Sequence, residues 1–208
     1  MTDVYLKIIF FKKLSKYIPD NVFIASAYEQ LFKNYSDRQR VFHDIKHVTY
    51  LLKMLEFYAP KIDNYDVLYF TIWYHKSVFY SWKNDNTERS AHLANEILTA
   101  AHFPEKDTDK VVQYITAAKD GISDGSNDLN YFLDFDLSVY ALDPAVYKVY
   151  VQQLRAEWSF YHYFSLRARR KLFLSSLLEK EFIYNTALFR KNSENAAREN
   201  IRFELESY

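Results

Sequence analysis

The chain has 208 residues, and its 27 basic and 27 acidic side chains cancel to a formal net charge of zero. This balance gives no reason to expect a nucleic acid or an anionic membrane as the partner. The chain has no cysteine, which excludes disulfides, thiolate metal ligands and a cysteine nucleophile. It has only two glycines, so a glycine-rich phosphate loop is nearly unavailable.

Apolar residues recur with helical spacing through most of the sequence, and two-residue alternation is rare. We therefore predict an all-α fold, a bundle of about ten helices. Asp20, Asn64 and Asp143 are the predicted N-caps, and Gly121 is a predicted left-handed C-cap. The predicted helices cover residues 2–17, 20–35, 41–58, 64–75, 87–103, 107–121, 128–141, 145–163, 166–182 and 193–206.

The chain shows no internal repeat and no low-complexity linker, so we expect residues 1–208 to form a single domain. The apolar N-terminal segment 4–13 is broken by lysines and lacks the uninterrupted core of a signal peptide. No apolar run approaches the roughly 20 residues that a membrane-spanning helix needs. We expect a cytoplasmic protein with no membrane partner.

Two histidines four residues apart, His43 and His47, fall within the third predicted helix, where their rings would share a face with Arg40. Such a pair can bind one metal ion, or one histidine can bind the metal while the other contacts an anion. Partly exposed helix histidines without a ligand are the alternative, and the spacing alone favours that alternative. The remaining histidines, apart from His75, have no partner at ligand spacing and are expected to be structural or exposed: His92, His102 and His162.

Two aspartates, Asp134 and Asp136, interrupt an aromatic and aliphatic segment. Burying a carboxylate costs several kcal/mol unless it is paired or bound to a cation. Because residues two apart on a helix face roughly opposite ways, we expect one of the two to enter a functional site. His75 lies in another aromatic helix, where a lone histidine is more often a core residue than a ligand.

Several motifs together resemble a bacterial family of predicted metal-dependent phosphohydrolases of the HD superfamily. The early motif contains Arg40, His43 and His47, and the segment 73–75 resembles the block before the family's His-Asp doublet. The motifs follow the same order and spacing as in that family from about residue 35 to residue 205. The matching positions are 35–36, 40, 42–45, 47–48, 73–75, 86, 88, 90–91, 132–137, 154–158, 170, 174, 177–178, 183–184 and 197–200.

The resemblance implies an HD-domain-like helical fold with four metal ligands, and such sites bind a divalent cation that activates water against a phosphate ester. The implied early ligand is His47 or His43, the doublet histidine is His75, and the late ligand is Asp136 or Asp134. Guanidinium groups match phosphate geometry. The implied phosphate contacts are Arg40 and Arg155, and the residues at catalytic positions are Glu88 and Lys76.

The sequence departs from the family pattern at three positions of the implied site. Lys76 replaces the aspartate of the doublet, Thr87 replaces the first acidic residue of the next motif, and Gly121 replaces a later histidine. An ammonium group at a ligand position opposes cation binding. A divalent metal ion, of unassigned identity, is therefore expected to bind weakly or not at all, and Lys76 is expected to pair with Asp136 or Asp134 in its place.

Three functions follow as alternatives. The first is a phosphohydrolase-like protein that has lost or weakened its catalysis and keeps a pocket for a small phosphate-containing ligand or nucleotide. The second is an active metal-dependent phosphohydrolase that uses the remaining two histidines and one aspartate. The third is a helical interaction module without a ligand, which a cavity filled by aromatic rings would favour.

Overall fold

The computed structural model describes residues 3–159 and 163–207, and every regular element in these ranges is a helix. The predicted all-α fold is therefore confirmed. The chain forms two compact units, Met1–Ile122 and Ser123–Tyr208. That residues 1–208 form a single domain stays a prediction. His162 lies outside the described residues. Among those described, no helix is both long enough and apolar enough to cross a membrane.

The first unit is built around a helix that is buried on all sides. This helix, Tyr65–Tyr74, has eight consecutive buried residues and packs against the helices before and after it. A helix that is apolar all round belongs in a core rather than at a surface. The α-helices described in this unit are α1 (Asp3–Leu14), α2 (Asn21–Tyr35), α3 (Ile45–Phe57), α4 (Tyr65–Tyr74), α5 (Asn86–Ala100) and α6 (Glu105–Asp120).

Large aromatic rings fill the core around α4. Trp73 is fully buried and lies edge-on to Phe10, with 5.4 Å between ring centroids. The Tyr35 hydroxyl donates a hydrogen bond to the Trp73 carbonyl at 2.9 Å. Burial of a tyrosine is tolerated because its hydroxyl finds such a partner. These contacts connect α1 and α2 to the end of α4, just before His75.

The second unit contains α7 (Asn127–Leu137), α8 (Pro144–Glu157), α9 (Tyr163–Glu179) and α10 (Ala187–Glu206) among its described residues. A buried ion pair joins the last two of these helices. The Arg170 guanidinium donates to both carboxylate oxygens of Glu204, each at 3.0 Å, and to the Tyr140 hydroxyl at 2.8 Å. Because charge and hydrogen bonds are both satisfied, the pair is tolerated in the core.

Helix caps are the most accurate part of the sequence prediction. Asp20 accepts hydrogen bonds from the first turn of α2, Asn64 from α4 and Asp143 from α8, and Gly121 has the left-handed φ of 63°. Helix lengths are less accurate. The predicted seventh helix stops at Leu137 and continues as a 3₁₀ turn, Ser138–Ala141.

Replacing Asp20 with alanine should lower the free energy of unfolding by about 1 kcal/mol, because two N–H groups of α2 lose their acceptor. The measurement is urea denaturation followed by circular dichroism. Asp20→Asn keeps an acceptor and should cost less than half as much. Equal losses for the two substitutions would show that the hydrogen bonds to the Asp20 side chain do not account for the effect.

Candidate functional site

His47 lies in the first turn of α3, and the start of that helix is determined by Asp44. Asp44 has extended backbone angles, and its carboxylate accepts hydrogen bonds from the N–H groups of Lys46 and His47. His43 therefore precedes the helix. The prediction that His43 and His47 share a face of one helix is wrong, because the Asp44 cap starts α3 four residues later than predicted.

His43 nevertheless lies beside His47, with 5.3 Å between the ring centroids. The rings of Phe42 and Phe79 also lie beside His43, with centroids 4.8 Å and 5.4 Å away. The ring of Phe42 packs against His47 at 5.1 Å. The early histidines thus belong to a cluster of rings, and His47 is the buried member.

His75 is the C-cap residue of α4 and is buried. Its Nδ1 lies 2.8 Å from the carbonyl oxygen of Ile72. Since a carbonyl can only accept, Nδ1 carries the proton, and in the neutral ring the lone pair is on Nε2. Metal-binding histidines commonly have this arrangement, in which a backbone carbonyl holds the second ring nitrogen.

The two buried imidazoles face each other through their Nε2 atoms, which are 3.4 Å apart. This separation is long for a hydrogen bond. Two nitrogen ligands of one tetrahedral zinc ion, at bond lengths near 2.0 Å, also lie about 3.4 Å apart. The His47 and His75 side chains therefore fit a shared divalent cation, and the donor type suits several first-row transition metals.

Arg40, predicted as a phosphate contact, has its guanidinium close to backbone carbonyls. It is 6% exposed and donates hydrogen bonds to the carbonyl oxygens of His43, Lys76 and Ser77. The Tyr35 ring covers the guanidinium at 4.7 Å. These contacts hold the segment before α3 against the segment after α4. Arg40 thus positions the chain on both sides of the histidine pair, and phosphate contact stays a prediction.

Asp134 has a structural role within the second unit. Its side chain is fully buried, and its two carboxylate oxygens accept four hydrogen bonds. The donors are the backbone N–H and side-chain amide of Asn185 and the backbone N–H and hydroxyl of Thr186. Burial raises the pKa of the Asp134 carboxyl, and these hydrogen bonds act in the opposite direction. Asp134 is compensated without a cation, which leaves Asp136 as the candidate ligand of the two.

The residues that hold Asp134 were not predicted from the sequence, because the last helix begins at Ala187 and not at the predicted residue 193. The Thr186 hydroxyl accepts from the N–H of Phe189 and so caps α10. A threonine three residues before the first buried phenylalanine was the available signal.

The other predicted site residues are more exposed. In the second unit, Asp136 is half-buried in the last turn of α7 and Arg155 is exposed in the last turn of α8. In the first unit, Lys76 is half-buried directly after His75. Glu88 is exposed on α5 and forms an ion pair with Lys119, which lowers the pKa of the Glu88 carboxyl.

Comparison of the chain with known proteins finds no significant match to a protein-family model, to a curated protein or to a solved structure. The resemblance to HD-superfamily phosphohydrolases therefore stays a prediction from sequence motifs.

Proposed function

We propose that this chain is a phosphohydrolase-like helical protein that binds a divalent cation through His47 and His75 and turns over phosphate esters slowly or not at all. The observation that carries the proposal is the 3.4 Å separation of the two buried Nε2 atoms. The Ile72 carbonyl supports it further, since it keeps the His75 lone pair on Nε2.

The residues around this pair have separate roles in the proposal. His47 and His75 bind the cation, and the sequence motif predicts Asp136 as a further ligand. Arg40 positions both flanking segments through its hydrogen bonds to carbonyls. A cation bound there would polarise a phosphate ester. A small phosphate-containing compound is accordingly the proposed ligand.

Weakened chemistry follows from Lys76, which occupies the position of the doublet aspartate. A ligand is lost and a positive charge is gained one residue from His75, and both changes lower affinity for a cation. Retention of the histidine pair favours the second candidate, an active hydrolase. The rings of Phe42 and Phe79 beside His47 and His43 favour the third, a packed interaction module.

Calorimetric titration of chelator-treated protein with Zn²⁺ and Co²⁺ is expected to show one weak site. His75→Asn keeps an amide near the Ile72 carbonyl but removes Nε2, so binding should fall at least tenfold, as it should in His47→Asn. His102→Asn is the control, because His102 is exposed and has a positive φ of 57° that asparagine tolerates. It should bind as the parent does.

The same preparations are assayed with p-nitrophenyl phosphate and bis(p-nitrophenyl) phosphate. We expect the parent protein to hydrolyse these substrates no faster than the His47→Asn variant does. Metal-dependent turnover that both histidine variants abolish would instead establish the active hydrolase. Absence of any metal binding would overturn the proposal in favour of the interaction module.

A further inference from the structure

The segment that joins α4 to α5, residues 76–85, follows His75 directly and contains no regular secondary structure. Its backbone N–H and C=O groups have no helical partners, so other groups must satisfy them. Three side chains from outside the segment do so: those of Arg40, Asn86 and Ser90. Arg40 binds the first two carbonyls, and the other two side chains connect the α4–α5 segment to α5.

Ser90 is fully buried on α5 and binds both backbone polar groups of one residue, Val78. The Val78 N–H donates to the Ser90 hydroxyl oxygen at 3.0 Å, and the hydroxyl donates to the Val78 carbonyl oxygen at 3.2 Å. Loss of the hydroxyl would leave a donor and an acceptor of the backbone without their partner. Since Val78 lies three residues after His75, this contact holds the chain close to a proposed metal ligand.

Asn86 is the first residue of α5, and its side chain binds the α4–α5 segment at two further places. Its amide oxygen accepts from the Tyr80 N–H at 2.9 Å. Its amide nitrogen donates to the carbonyl oxygens of Tyr80 at 2.8 Å and of Lys83 at 3.1 Å. These bonds use an acceptor and both donors of the amide, a combination that no carboxylate or hydroxyl supplies.

Phe79 lies between the two residues that α5 holds, and its ring reaches the histidines. Val78 and Tyr80 fix the backbone on either side of it. The centroid of the Phe79 ring is 5.4 Å from that of His43, and the His43 ring lies 5.3 Å from His47. A series of packed rings therefore connects the part of the chain held by α5 to His47.

We propose that Ser90 and Asn86 are positioning residues of the His47 and His75 site. By holding the backbone on both sides of Phe79, they keep the end of α4 and the segment before α3 where both Nε2 atoms face one cation. The inference rests on the proposed metal binding and adds two side chains that maintain its geometry without being ligands. Groups that orient metal ligands commonly change the affinity by about 10–100-fold when they are lost.

The test compares Ser90→Ala with the parent protein. Because both hydrogen bonds to Val78 are lost, Zn²⁺ affinity measured by calorimetric titration should fall about tenfold. The visible spectrum of bound Co²⁺ should also shift, since it depends on the angles between the ligands. Asn86→Ala should change both readouts in the same direction and by less, because its contacts lie further along the chain from His75 and are more exposed.

The matched control is Asn64→Ala, which removes side-chain hydrogen bonds at the opposite end of α4. The Asn64 side chain accepts from the Val67 N–H and donates to Asp107. Its loss should destabilise the fold but leave Zn²⁺ affinity within twofold and the Co²⁺ spectrum unchanged. Equal loss of affinity in Ser90→Ala and Asn64→Ala would overturn the proposal, because general destabilisation would then be the cause.

A measurement on metal-free protein separates this inference from the metal site itself. Nuclear Overhauser effects between the rings of Phe79 and His43 should be present in the parent, weaker in Ser90→Ala and unchanged in Asn64→Ala. If Ser90→Ala weakened them without altering Zn²⁺ affinity or the Co²⁺ spectrum, the positioning role would be wrong and the metal site would stand. If the parent bound neither Zn²⁺ nor Co²⁺, the proposed function would fail and this inference with it.

Discussion

Lys76→Asp is expected to strengthen binding of a divalent cation by about 100-fold, because it replaces a repelling ammonium with an anionic ligand next to His75. One unit charge about 5 Å from another contributes about 3 kcal/mol at an effective dielectric constant of 20. Lys76 is only half-buried, so solvent screening reduces the combined effect to about 2.7 kcal/mol, which corresponds to 100-fold. Calorimetric titration with Zn²⁺ measures the change, and the visible spectrum of bound Co²⁺ reports the ligand set.

Two further substitutions separate the effect of removing the ammonium charge from the effect of adding an anionic ligand. Lys76→Met removes the charge without supplying a ligand and should strengthen binding about tenfold. Lys110→Asp makes the same change of net charge at an exposed position of α6, and it should alter affinity less than twofold. If Lys76→Asp bound no more tightly than Lys76→Met, the side chain at position 76 would not reach the cation, and the doublet interpretation would fail.

The Lys76→Asp protein also tests the assignment of Asp136. When Asp136 is the third ligand, adding Asp136→Asn should weaken binding at least tenfold. Unchanged affinity would leave His47, His75 and the new aspartate as the complete set of protein ligands.

Asp134→Ala is expected to lower the free energy of unfolding by about 3–4 kcal/mol. Four hydrogen bonds are lost at once, and the N–H groups of Asn185 and Thr186 lose their acceptor at the start of α10. Urea denaturation followed by circular dichroism measures the loss, with an unchanged m-value showing that the transition stays comparable.

The matched control is Asp136→Ala, two residues away on the same helix. Asp136 is half-buried and is the candidate ligand, so its removal should cost less than about 1 kcal/mol in metal-free protein. A larger loss for Asp136→Ala than for Asp134→Ala would reverse the roles assigned to the two aspartates.

The sequence alone was sufficient for the fold class and for the four helix caps that it predicted. Asp20, Asn64, Asp143 and Gly121 act on backbone groups within a few residues of themselves. Such local interactions depend on spacing along the chain, and spacing is what a sequence displays. The aromatic core around α4 was predictable for the same reason, because its apolar run is continuous.

The roles of Asp134 and Arg40 each depended on contacts between distant segments of their own unit. The donors to Asp134 belong to Asn185 and Thr186, which lie 51 and 52 positions further along the chain. The carbonyls that accept from Arg40 include those of Lys76 and Ser77, 36 and 37 positions away. The residue types are compatible with more than one partner, so the motif left His43 and His47, and Asp134 and Asp136, as open alternatives. Tertiary structure alone showed the structural role of Asp134, because a buried carboxylate takes its role from the donors that the fold brings to it.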